Sequence, residues 1–354
     1  MTSQTISYPG GIKTPRLSEV APTEGQGLLS FDGVITPAAV PYYEGIVERK
    51  TGADDHLPTH VTTTTFALRN VTAQNPIEYY YQGKLVTVTT NVSCVLSTSD
   101  AGLHCIEFDA DTGTLTNGGD CHGAFGIGGN AIVAVVLWNG TNYGLVLDER
   151  HGYSRNKAWH SWAHDVMKCQ YVSGLTLTAS GSGGSSSFIC TTGFVRDEDI
   201  KFTIAASSAF PTAHTMRQWY QDSVSTYAFR TTASPRPFVH GANNRPNVVN
   251  GSTYALVELA SAANRYANMF VYGALDNHTP LYCVAETVSA AIAADNGYAS
   301  AALARAVNWP NLEGLNFSQE MRPLYRLVIR ADGDVQAQTT ADDYRRTYQV
   351  PLVS

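Results

Sequence analysis

Charge is scarce in this sequence. Charged residues make up 15% of the 354 positions, against about 25% in an ordinary soluble domain. Lys and Arg number 23 against 30 Asp and Glu, a net charge of −7, which excludes a freely diffusing reader of nucleic acid with an overall basic surface. No apolar run reaches the roughly 18–20 residues of a membrane-spanning helix, so membrane insertion is not expected. The opening stretch, residues 1–27, lacks a charged segment followed by an apolar one, so no secretory signal is expected. The six cysteines (94, 105, 121, 169, 190 and 283) show no CxxC spacing, and without secretion they are expected to be free thiols in a reducing compartment. Six Asn-x-Ser/Thr triplets, at Asn70, Asn91, Asn139, Asn250, Asn277 and Asn316, are what chance gives in so Thr/Ser-rich a chain. Enzyme signatures are missing as well: there is no GxSxG, HExxH or GxxxxGK[ST] pattern. Gly126-Ile127-Gly128-Gly129 precedes a strand-like run rather than a helix, so it offers no helix N–H groups to a phosphate.

What remains is polar, uncharged and β-forming. Hydrophobic residues reach 44%, with 19 Tyr and 12 Phe, enough for a substantial core and incompatible with intrinsic disorder. A surface with so few charges must be covered by Thr, Ser, Asn, Gln, Gly and Tyr, or buried against neighbours.

Residues 1–58, punctuated by Pro9, Gly10, Gly11, Pro15, Pro22, Gly25 and Gly27, read as an extended arm with one short strand over Leu28 to Ile35. Beyond it, His60 to Val71 and Ile77 to Leu96 are rich in Val, Thr and Tyr and read as strands. Phe108 to Leu115 reads as a hairpin tip. Ala131 to Trp138 is a continuous apolar run, expected to be a strand buried on both faces, turning at Asn139-Gly140 into Tyr143 to Leu147. Tyr171 to Ala179 and Phe188 to Val195 read as a strand pair around a Gly/Ser turn, followed by strands over 254–259, 269–272, 281–291 and 325–330. Helices are expected over Ala209 to Val224, where Met216, Trp219 and Tyr220 share one side, and over Tyr298 to Val307, stopped by Asn308-Trp309-Pro310. The expected organisation is an arm (1–58), a β shell domain (59–292) and a C-terminal segment packed on it (293–354). The fold class is all-β with a few short helices in connections, a sandwich or barrel.

Candidate chemistry is thin. Asp54, Asp55, Asp109, Asp111, Asp197 and Asp199 form short acidic clusters whose hard oxygens suit Ca²⁺. None matches the twelve-residue calcium loop, and solvated turn residues are the competing reading. His160 and His164 are spaced i, i+4, but Trp159 and Trp162 around them point to packing. His104-Cys105 and Cys121-His122 hold zinc-type donors, yet adjacent strand residues face opposite sides and make poor joint ligands. Basic residues of the arm (Lys13, Arg16, Arg49, Lys50) and a later set (Arg217, Arg230, Arg236, Arg245, Arg322, Arg326, Arg345, Arg346) are the available phosphate contacts. Tyr79-Tyr80-Tyr81 is a candidate sugar-stacking cluster.

Two segments carry a family resemblance. Gln170 to Val195 (QYVSGLTLTASGSGGSSSFICTTGFV) resembles a strand pair of the jelly-roll coat proteins of small icosahedral positive-strand RNA viruses, of nodavirus, sobemovirus or dinoflagellate-infecting type. Tyr254 to Ala291, with Pro280, Leu281 and Glu286, is similar to the last strands of that fold. The resemblance implies an eight-stranded antiparallel jelly-roll sandwich with an extended N-terminal arm. It implies a structural, non-enzymatic subunit that assembles with itself, in roughly 180 copies of a T=3 shell. The shell would enclose single-stranded genomic RNA bound without regard to sequence, with Ca²⁺ at subunit interfaces, a host-cell receptor as a further partner, and a virion assembled in the host cytoplasm. The arm departs from the family pattern in carrying no Arg/Lys-rich run. The alternative is a β-sandwich carbohydrate-binding module or adhesin; a hydrolase with dispersed catalytic residues has no positive feature behind it.

Overall fold

In a computed structural model, the chain is described over residues 27–29, 36–38, 45–47, 50, 55–56, 58–62, 64–81, 84–97, 99, 101–109, 112–117, 131–151, 167–180, 187–198, 200–206, 216–224, 226–230, 236, 238–260, 265–276, 280–308, 320–333 and 342–346. Just over half of these residues are in β-strands and only two five-residue helices accompany them, so the fold is all-β. They fall into two compact units, one drawn from Met1–Leu96, Leu103–Ala134 and Glu149–His160, the other from Ser97–Gly102, Val135–Asp148 and Ser161–Ser354.

In the first unit β1 (Gly27–Leu29) and β2 (Thr36–Ala38) form an antiparallel pair. β3 (Gly45–Ile46), β4 (Pro58–Thr62), β5 (Thr65–Leu68), β6 (Ile77–Tyr81), β7 (Lys84–Val88) and β8 (Val92–Val95) make two three-stranded sheets, ordered β3-β6-β7 and β4-β5-β8. The run from His60 to Val71 is thus a hairpin rather than one strand, and Ile77 to Leu96 is three strands. Strand periodicity specifies faces, not where a chain with this much Thr reverses. β9 (Gly102–Phe108) pairs with β10 (Leu115–Asn117), Phe108 opposite Leu115, around the expected hairpin tip. The core of this unit is apolar and aromatic: Phe66, Leu68 and Tyr79 are fully buried, and Tyr79 stacks on Phe108 at 4.4 Å between centroids.

β11 (Ile132–Trp138) carries the chain onward, with five of its seven residues buried, as a continuous apolar run requires. The turn at Asn139 is closed by its own side chain, whose Oδ1 accepts from Thr141 N and Asn142 N. β12 (Tyr143–Asp148) follows in the second unit.

The second unit continues with β13 (Gln170–Ser173), β14 (Leu177–Ser180), β15 (Ser187–Cys190), β16 (Gly193–Asp197) and β17 (Ile200–Ile204). β14 and β15 pair as a hairpin, whereas β13 joins the sheet β13-β16-β17. The reading of Tyr171 to Ala179 as a single strand fails at Gly174 and Leu175, whose φ values of 71° and 52° break the extended chain.

β18 (Arg217–Gln221), β19 (Tyr227–Phe229), β20 (Asn247–Asn250), β21 (Leu256–Glu258), β22 (Tyr266–Ala274), β23 (Leu281–Ala285), β24 (Thr287–Val288) and β25 (Met321–Arg330) complete the strands. They build a five-stranded sheet, β19-β18-β23-β22-β25, and a three-stranded sheet, β21-β20-β24. The helix expected over Ala209 to Val224 is instead strand at Arg217–Gln221, held in parallel register with β23 (Trp219 opposite Val284). Trp219 is fully buried there, and its aromatic and β-sheet neighbours outweigh the weak helical spacing.

Two Ala-rich helices, α1 (Ala290–Ala294) and α2 (Ala301–Arg305), lie between β24 and β25. Each is N-capped by a serine, Ser289 accepting from Ile292 N and Ser300 from Leu303 N. The helix expected over 298–307 is present in its central part. The strand expected to run to residue 291 ends at Val288.

Candidate functional site

The chemistry of the second unit is concentrated beneath α1 and α2, in polar side chains buried between apolar ones. Glu286, at the junction of β23 and β24, is 2% exposed. Tyr298 Oη donates to its Oε1 at 2.6 Å, and the backbone N–H of Asn268 on β22 donates to Oε2 at 3.2 Å. Burial is the main cause raising its pKa to about 7, only partly offset by those hydrogen bonds and by Arg326. Tyr298 is pushed up too, by its own burial and then by the carboxylate.

Beside this acid lies a buried ion-pair network. Asp342, 1% exposed, accepts from Arg305 Nε at 3.0 Å and from Arg326 Nε at 3.2 Å. Arg326 Nη1 also donates to the carbonyls of Arg305 and Val307 at 2.8 and 2.9 Å, and its guanidinium lies over Tyr344. The cation is therefore engaged on several sides, which lets β25 carry an Arg in an otherwise apolar stretch. Arg345 is clamped by Asp343 at 3.0 and 2.8 Å, donates to Gly174 O, and lies over Tyr325 and Tyr171. Burial raises the Asp343 carboxyl, but the Arg345 hydrogen bonds outweigh it and hold the acid below its usual range.

A third arrangement closes the loop after β19. Glu258 Oε1 accepts from the backbone N–H groups of Asn243 and Arg245, and Oε2 from Asn243 Nδ2 at 2.7 Å. A Cβ at Gly241 would meet Glu258 Cδ at 2.4 Å, so the carboxylate requires glycine beneath it. His240 Nδ1 lies 2.8 Å from Gly241 O, placing the proton on Nδ1 and leaving Nε2 to accept from Arg230. Its basicity is lowered, chiefly by burial and then by Arg230 and Arg236.

Of the expected cation ligands, Asp55 lies in the first unit and is taken by Arg150, Nη1 to Oδ1 at 2.9 Å, both side chains buried. Asp109 serves the hairpin tip: its Oδ1 accepts from Thr112 and its carbonyl from Tyr79. Asp197, in the second unit, is 1% exposed at the end of β16, opposite Ile200. Asp54, Asp111, Asp199, Lys13, Arg16 and Arg49 lie outside the described residues; Lys50 is half-buried. His160, His164, Cys121 and His122 are likewise outside them, and His104 is buried against Asn117 Oδ1 at 3.1 Å. Tyr79, being interior, offers no sugar-stacking face.

Sequence reasoning passed over Asp342, Asp343, Glu258 and the chemical role of Glu286. The signal for Glu286 was present: a lone acid inside LYCVAETV has no solvent face to occupy. Asp342 carries no such mark, because its burial depends on a segment sixteen residues from Arg326 in sequence.

Scans against protein-family models, against curated proteins and against solved structures each return no match.

Proposed function

We propose that the chain is a structural coat subunit, a jelly-roll-type β protein that assembles with copies of itself into an icosahedral, T=3-type shell around single-stranded RNA. One observation carries this reading: several interior ion pairs are closed within the chain while most exposed strand residues are uncharged. Asp55–Arg150, Asp342 with Arg305 and Arg326, and Asp343–Arg345 are satisfied internally. On the outside of the strands, Leu85, Val95, Val172 and Ile189 are exposed among Thr87, Ser93, Ser173, Thr178 and Thr203, with Lys84, Arg196 and Lys201 the charged residues among the described exposed strand positions. Subunit contacts in a closed shell favour such surfaces, because burying an unpaired charge costs several kcal/mol whereas a hydroxyl needs a single partner. Single exposed apolar side chains are ordinary; their recurrence on strand faces together with a charge content of 15% is what supports assembly.

Four of the eight later arginines available for phosphate contact are engaged within the chain: Arg326 with Asp342, Arg345 with Asp343, Arg230 with the His240 carbonyl and Arg322 with the Arg345 carbonyl. RNA would then be balanced by the arm, by cations, or by residues such as the exposed Arg346. The test is expression of the full chain followed by nuclease treatment and negative-stain microscopy, with and without Ca²⁺. Closed particles some tens of nanometres across containing nuclease-resistant RNA support the reading. A monodisperse monomer that binds glycans on an array supports the adhesin instead.

A further inference from the structure

The segment 289–307, comprising α1, its connection and α2, forms a strap whose inner residues share a core with the sheets. Ala293, Tyr298 and Ala304 pack with Val248, Leu259, Ala267, Val288 and Val328. Its middle is stitched to β22 by two backbone hydrogen bonds, Tyr266 N to Tyr298 O at 3.0 Å and Tyr298 N to Tyr266 O at 2.9 Å. Its C-terminal half is held by Asn268 Nδ2 on Ala304 O and by Arg326 on the carbonyls of Arg305 and Val307. The side-chain ties in its middle are the Tyr298–Glu286 contact and Arg265 Nη1 on Gly297 O at 3.4 Å.

The groups facing the Glu286 carboxyl are Tyr298 from the strap, Asn268 from β22 and Arg326 from β25. Arg326 is already countered by Asp342 and two carbonyls, so among the described residues no cation is dedicated to a Glu286 carboxylate. The Asn268 amide also reaches the acid and, as a donor, favours the carboxylate, against the larger opposing effect of burial. A carboxylate at Glu286 keeps the Tyr298 O–H and Asn268 N–H donors but stands 2% exposed with its charge uncompensated by a dedicated cation; the neutral acid carries no such cost.

We propose that Glu286 is a proton-operated latch: as a neutral acid it holds the α1–α2 strap on the sheet through Tyr298 and Asn268, and loss of its proton loosens that strap. The direction follows from linkage. The closed acid titrates at about 7 and the exposed acid at its ordinary 4.5, so the closed strap binds the proton more tightly. Closure is therefore favoured at low pH, and the contribution is lost as pH rises from about 4.5 to about 7, with no further loss above. The latch operates within one chain and does not depend on what the chain assembles into.

The test is hydrogen–deuterium exchange of the full-length protein from pH 4.5 to 8.5, corrected for intrinsic exchange, on wild type, Glu286→Gln and Tyr298→Phe. In wild type, protection of peptides spanning Ser289 to Val307 should fall about tenfold per pH unit between pH 5 and 7 and then level off. Glu286→Gln, neutral at every pH, should abolish that slope. Tyr298→Phe, which removes a hydrogen bond favouring the carboxylate, should move the levelling point upward. A flat wild-type profile, or an equal slope in Glu286→Gln, overturns the proposal. Should Glu286→Gln not fold, pH-difference infrared spectra of wild type decide. A buried carboxylic acid band titrating near 7 supports the latch, and its absence rejects it.

Discussion

Replacing Asp342 by Asn isolates the cost of an uncompensated buried cation. The carboxylate is 1% exposed and accepts from both Arg305 and Arg326, whose side chains are 24% and 5% exposed. The amide preserves shape but removes the negative charge and turns one acceptor into a donor facing a guanidinium. Arg305 can rehydrate; Arg326 cannot, and keeps only the carbonyls of Arg305 and Val307. Breaking a buried pair from one side costs about 3–5 kcal/mol, a large share of the roughly 5–15 kcal/mol of a typical domain. For a unit of this size that corresponds to a fall in Tm of roughly 6–20 °C. The assay is urea unfolding followed by tryptophan fluorescence, since Trp219 and Trp138 are both buried in the same unit. Asp332→Asn is the control: its pair with Arg330 is about one-third exposed and should cost less than about 1 kcal/mol. The double variant Arg326→Met/Asp342→Leu should lie closer to wild type than Asp342→Asn, because the charge is removed with its partner. Equal stabilities for Asp342→Asn and Asp332→Asn would mean that the buried Arg326–Asp342 pair costs no more to break than the exposed Arg330–Asp332 pair, contrary to this expectation.

Further outcomes follow from single positions. Gly174→Ala should destabilise strongly or prevent folding, since φ is 71° and a Cβ would sit 2.2 Å from Thr192 O; a melting curve matching wild type would contradict this. The thiols of Cys94, Cys190 and Cys283, raised by burial to about 11, 11 and 12, should be no more than about one part in a thousand thiolate at pH 8, and alkylation of the native protein should be far slower than in urea. His240, its basicity lowered by burial, is held neutral, so the unfolded chain takes up the proton first and the His240 contribution to stability should decline as pH falls below about 6.5, opposed by Glu286 over the same range. His240→Gln should remove that component, read as the difference in urea midpoint between variant and wild type from pH 4 to 7.

Much of the fold was legible because strands with one dominant face declare themselves. Ala131 to Trp138, the Asn139-Gly140 turn, the Phe108–Leu115 hairpin and the Ser300-capped helix all stand where local pattern places them. The failures are tertiary. Arg217–Gln221 lies flat because it finds a parallel partner in β23, about 65 residues away, and no local spacing encodes that partner. Tyr171 to Ala179 splits because two residues adopt positive φ, one of them a leucine. The polar network shows the same limit. Glu286 and Asn268 stand out as lone polar residues in apolar runs, whereas Asp342 and Tyr298 gain their roles only when distant segments close over them.

Sedimentation velocity of the purified protein separates a self-assembling subunit from a monomer. A closed symmetric shell of about 180 subunits of 38.2 kDa should sediment as a discrete fast species of roughly 7 MDa. A single 38.2 kDa species at every protein, salt and Ca²⁺ concentration would contradict it.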